Sequence, residues 1–138
     1  MTSAGVRERV LQTWRYFANT RGDLLHGERT ASILRSVGAD EELALAGLLH
    51  DRAKPEETQL WHRIAGVLLE RFAPRVRARL ARGESIFARY LDHARRGAEL
   101  ARAEGRSERV VRLVAQHHLP PETEDDRLLA RADRAAIP

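Results

Sequence analysis

The chain has 138 residues, a formal net charge of +4, a hydrophobic fraction of 43% and no cysteine. Such a length suits one domain with a single core, and the lack of cysteine excludes disulfides and zinc–thiolate centres. No apolar run approaches the roughly 18–20 residues of a membrane span, and MTSAGVRERV lacks the apolar core of a signal peptide, so a cytoplasmic protein without a membrane partner is expected.

Apolar residues recur at helical spacing almost throughout, and no two-residue alternation appears, which predicts an all-α fold. Val6, Val10, Trp14 and Phe17 form a first stripe. Leu24 to Val37 forms a second, closed by Gly38. Asp40 then caps a helix that carries Leu43, Ala46, Gly47 and His50 on one face, with Pro55 at or beyond its end. Leu60, Ile64, Leu68 and Phe72 make a fourth stripe before Pro74. A short helix runs from Arg75 to Arg82 and stops at Gly83. Ser85 to Ala103 reads as one long helix ending at Gly105. Ser107 caps the next, which carries Val110, Val114 and His117–His118 and breaks at Pro120–Pro121. The last helix runs from about Asp125 to Ala136. About seven helices with short connections result.

The polar residues that interrupt these stripes carry the chemistry. His26 is in register with Thr30, Ile33 and Val37. His50 continues the Leu43–Ala46–Gly47 face, and Asp51 follows it. His93 shares a face with Ile86, Tyr90, Gly97 and Leu100. His117 follows Val110 and Val114, and Asp133 lies four residues after Leu129. Helices bury such faces, and a buried carboxylate requires a partner. Each residue alone is an ordinary core histidine or a cap. Together they converge from five helices. His62, beside Trp61 and Arg63, reads as surface or packing. Imidazoles with carboxylates suit a divalent metal such as manganese, iron, cobalt, nickel or zinc. Two such ions need a bridging carboxylate, for which Asp51 is the natural residue, and a pair of them can acidify water and clamp phosphoryl oxygens.

The stretch AGLLHDRAK resembles the AxLLHDxGK signature of HD-domain metal-dependent phosphohydrolases. The likeness extends to His26 in LLHGERT, to His93 in DHARRGAELA, to VAQHHLP, and to LLARADRA with Asp133. It implies one HD domain over residues 1–138 with its core in 24–135. It further implies that His26, His50, Asp51 and Asp133 hold one metal, and that Asp51 bridges to a second held by His93 and by His117, His118 or both. One or two divalent ions are thus expected, magnesium included. Lys54 matches the lysine of HDxGK, placed near a substrate phosphate, and makes a catalytic pair with Asp51. Two departures stand out. Arg52 and Ala53 replace an apolar residue and a glycine, so Arg52 either alters the loop or adds a phosphate contact. Gly22 stands where some relatives carry a further metal-binding glutamate, so a third metal is not expected.

The expected function is hydrolysis of a phosphomonoester or phosphodiester bond in a small phosphorylated substrate, a nucleotide or dinucleotide. The alternative is an HD-fold module that binds metal and nucleotide with little turnover. The pI of about 10.5 raises a third reading, nucleic-acid binding. It is disfavoured because the arginines are scattered among glutamates, with Lys54 the only lysine, and because it leaves the inward histidines unexplained. Arg95 and Arg96 are phosphate contacts or surface charge. Glu28, Asp92 and Gln116 are near enough in the chain to orient the imidazoles.

Overall fold

The computed structural model describes Val10 and residues 21–137, with backbone only for 21–24. The first predicted stripe, Val10 apart, lies outside the described residues. Eight helices and no strand appear among the described residues. They are α1 (Arg21–Ser36), α2 (Glu41–Leu49), α3 (Leu60–Phe72), α4 (Pro74–Leu80), α5 (Ile86–Leu91), α6 (His93–Ala103), α7 (Glu108–Gln116) and α8 (Glu124–Ala135). The all-α bundle is the architecture the periodicity predicts.

The helix boundaries follow from local chemistry. Asp40 and Ser107 accept from the backbone N–H groups of Leu43 and Val110, satisfying donors that a helix start leaves open. Thr123 and Asp126 form a reciprocal capping box at the start of α8. Gly38 and Gly105 take φ of +83° and +76°. That region is accessible to glycine at little cost, and it lets Ala39 and Arg106 donate back to Leu34 and Ala101. The predicted long helix Ser85–Ala103 is instead two. Asp92 leaves helical geometry at φ −103° and ψ 11°, ending α5 and starting α6. One irregular residue hardly disturbs the spacing of apolar positions, so periodicity does not detect the break.

α1 packs on α2 and α8, α2 on α7 and α8, and α6 on α7. Leu34, Leu43, Val110, Leu113 and Val114 are almost fully enclosed between them. Burial of each contributes about 1.5–3 kcal/mol before conformational entropy is counted. The α1–α2 contact is unusually close. A Cβ on Gly27 would lie 2.7 Å from the Leu48 carbonyl oxygen, and one on Gly47 2.7 Å from Leu34 Cδ1. Two glycines therefore let the helices meet nearly backbone to backbone, immediately beside His26 and His50.

α3 packs on α4 and α5. The predicted stripe Leu60–Ile64–Leu68–Phe72 does not face the core. Ile64, Leu68 and Phe72 are exposed, and the buried side of α3 is His62, Arg63 and Gly66. The reason lies in packing: Gly66 seats the helix against Tyr90 and Leu91, where a Cβ would come within 3.0 Å of Tyr90 Cε1. His62 Nδ1 accepts the Gln59 N–H and closes the helix start. Val37, Ile86 and Leu100, read as members of buried stripes, are also exposed.

Candidate metal centre

Three histidines stand at or just beyond helix ends. His50 is the C-cap of α2, His117 is the C-cap of α7, and His93 follows α5 after Asp92. Each uses its ring Nδ1–H in the same way, donating at 2.6 Å to the carbonyl three residues earlier: Gly47, Tyr90 and Val114 respectively. Those carbonyls lie in the last turn of their helices, where no following N–H is available within the helix. The bond completes the helix end and fixes the ring. A carbonyl can only accept, so the proton is on Nδ1 and Nε2 is the inward ligand atom.

The inward atoms converge on two carboxylates. Asp133, from α8, takes His26 Nε2 at 2.6 Å and His50 Nε2 at 3.1 Å on Oδ1. Asp51 Oδ1 lies 3.1 Å from His93 Nε2 and 3.4 Å from His117 Nε2, while Oδ2 lies 3.4 Å from His50 Nε2 and 3.9 Å from His26 Nε2. His118 Nε2 turns in to 2.9 Å from His93 Nε2. Two groups result, His26–His50–Asp51–Asp133 and Asp51–His93–His117–His118, with the ligand atoms of each within 4.8 Å of one another. Asp51 belongs to both. All seven residues picked from the sequence as ligands are brought together, and both members of the His117–His118 pair take part.

Burial and charge set the protonation of this cluster. Burial works against an ionised Asp51, yet Lys54 and His50 outweigh it and hold the carboxyl well below its ordinary range. Asp133 is likewise held low, against burial, by its bonds to His26 and His50. Burial opposes the charge on His50, but Asp51 and Asp133 raise it to about 10. His93 is pushed down by burial despite Asp51. His118 falls to about 2 through burial and the neighbouring His117 and His93.

The donor set fits divalent cations. It consists of nitrogen and oxygen only, and His117 Nε2 is buried with no hydrogen bond among the described residues. A buried polar atom in that condition costs free energy unless something else satisfies it. The three carbonyl-anchored rings are oriented as outer partners orient metal-bound imidazoles.

Other predicted residues fall out differently. Lys54 Nζ donates to Asp51 Oδ2 at 3.0 Å, and Lys54 also lines a cavity of about 730 Å³ with Arg89 and Arg96. Arg52 turns to Glu104 at the end of α6, with its guanidinium 2.8 Å from the carboxylate, so it stitches the loop to α6. Arg95 and Arg96 both bind Asp92, and Gln116 accepts from Arg112. Glu28 is exposed. Of the nearby candidates Glu28, Asp92 and Gln116 none orients a ring; the carbonyls of Gly47, Tyr90 and Val114 do so for His50, His93 and His117. Sequence reading missed these because every histidine has a residue three positions before it. The usable signal was a histidine at a helix end.

The HD domain family model matches residues 24–136. No curated protein and no solved structure gives a significant match to the chain.

Proposed function

We propose that this chain, which belongs to the HD domain family, is a metal-dependent phosphohydrolase acting on a small phosphorylated substrate, a nucleotide or dinucleotide. The observation that carries this reading is the pair of ligand groups joined through one buried carboxylate, Asp51. In it His26, His50, Asp51 and Asp133 hold one divalent cation, and Asp51, His93, His117 and His118 hold a second. Bound there, such cations supply Lewis acidity toward phosphoryl oxygens and acidify water.

The chain's own residues do the rest. The carbonyls of Gly47, Tyr90 and Val114 keep three rings aimed inward, so little reorganisation is needed when charge develops. Lys54 brings an ammonium to the edge of the cluster and to the wall of the adjoining cavity. There it attracts a substrate phosphate and offsets negative charge building on it. Arg52, held by Glu104, gives no support to a module that only binds.

The test is elemental analysis of purified protein after loading with manganese, iron, cobalt, nickel, zinc or magnesium, followed by assay on a panel of nucleotides and dinucleotides. Stoichiometric cation with release of a phosphorylated product is expected. Stoichiometric cation without turnover of any compound would select the binding module, and no retained cation would remove the reading altogether.

A further inference from the structure

The outward side of α3 is apolar along its whole length. Trp61, Ile64, Val67, Leu68 and Phe72 are each more than half exposed, Phe72 at 73%. Trp61 and Phe72 are eleven positions apart, about 16 Å of helix. α4, joined to α3 through Ala73 alone, adds exposed Val76 and Leu80. The orientation is built rather than accidental. Gly66 clamps the opposite side of α3 to Tyr90 and Leu91, and the Trp61 ring lies tilted against His62 with ring centroids 3.8 Å apart.

The same segment concentrates positive charge. Residues 60–82 contain six arginines and a single glutamate, whereas the whole chain has a net charge of only +4. Elsewhere arginines such as Arg35, Arg52, Arg109 and Arg112 are matched to carboxylates. Here the guanidinium groups of Arg75, Arg79 and Arg82 make no hydrogen bond or ion pair among the described residues, and Arg71 lies over the Phe72 ring at 5.9 Å. Large exposed aliphatic and aromatic side chains flanked by unmatched arginines are the features of a helix that lies in a lipid interface.

We propose that the outward face of α3, with α4, docks on the surface of an anionic phospholipid bilayer. Ile64, Leu68 and Phe72 enter the acyl boundary, and Arg71, Arg75 and Arg79 meet the headgroup phosphates. No described helix is long and apolar enough to cross a membrane, so the contact is along the surface. The expectation of no membrane partner rested on the lack of a span and of a signal peptide and does not bear on a surface contact. Charge argues against the other occupants. A two-fold self-association would set this arginine cluster against its copy. The N-terminal residues 1–20 have three arginines and one glutamate, so they offer the arginines no charge complement either.

The test is flotation of the purified full chain with vesicles of phosphatidylcholine, and with an equal mixture of phosphatidylcholine and phosphatidylglycerol. Binding to the anionic vesicles only, weakening with salt, is expected. Arg75→Glu with Arg79→Glu lowers partitioning at least about tenfold, and Leu68→Ser with Phe72→Ser lowers it comparably. All four side chains are exposed, and an unchanged circular dichroism spectrum checks that these variants fold. In a Trp14→Phe background, Trp61 emission shifts to the blue on binding. Failure to float with anionic vesicles, or partitioning indifferent to both variants, overturns the proposal. So does a dimer in sedimentation equilibrium that Leu68→Ser with Phe72→Ser abolishes, which would give the face to a second copy.

Discussion

In α1, α2, α6, α7 and α8 most of the large apolar side chains turn inward, Leu25, Leu48 and Leu100 excepted. Leu34, Leu43, Leu113 and Val114 are enclosed, and the polar residues among them meet in the His/Asp cluster that could hold metal. In α3 and α4 the arrangement is reversed. Ile64, Leu68 and Phe72 face out, while His62 and Arg63 are buried. Both regions show helical amphipathicity, and both obey the same periodicity. What separates them is what lies opposite each stripe. The first has helices on several sides and forms a core. Among the described residues the second has neighbours only on its polar side, where Gly66 allows close approach to Tyr90. A hydrophobic stripe thus specifies a surface to be covered and leaves open by what.

Several measurements bear on that contrast, the largest effect first. Asp51→Asn removes the carboxylate common to both ligand groups, and is expected to lower bound metal and turnover by at least about 100-fold. Elemental analysis and assay read it. Variants of the exposed stripe should leave both unchanged. Leu113→Ala in the core should cost about 3 kcal/mol, whereas Leu68→Ala on α3 should stay within about 0.5 kcal/mol. Denaturant unfolding compares them directly, and equal losses would break the contrast.

The close contact of α1 with α2 gives the next effect. Gly27→Ala places a methyl 2.7 Å from a backbone oxygen that cannot swing aside. A loss of about 2 kcal/mol is expected, with weaker metal retention because His26 moves with the helix. Asp126 supplies a pH-dependent case within the packed region. Burial would raise its carboxyl, but the Thr123 and Glu122 amides and Arg112 hold it below the ordinary value of 3.8. A folded value below the unfolded one stabilises above that range and is lost as pH falls through the folded value. The stability difference between the parent and Asp126→Ala should therefore be about 1 kcal/mol at neutral pH and shrink in acid. Smallest is Arg52→Ala. Its partly exposed pair with Glu104 is worth at most about 1 kcal/mol, and turnover should be unaltered, as a phosphate contact would not allow.

Much of this was legible in the sequence, and the unevenness has physical causes. Asp40, Ser107, Gly38 and Gly105 act on backbone groups within a few residues, so their roles could be read locally. The seven residues of the His/Asp cluster were legible as candidates because carboxylates and imidazoles on otherwise apolar faces must answer for their burial. The direction faced by α3 was not, since it depends on packing partners distant in sequence. The break at Asp92 escaped because helical spacing continues across it. Arg52 found Glu104 at a separation of 52 residues, which no local pattern encodes. The glycines at 27 and 47 were visible, but only coordinates reveal that the two helices touch there.

Because a single carboxylate serves both groups, the two half-sites are not thermodynamically separate. A first cation bound there would draw charge from Asp51 and so reset the affinity met by a second. Loading curves for such a centre would deviate from a sum of two independent isotherms, and replacing Asp51 would alter both limbs of the curve at once.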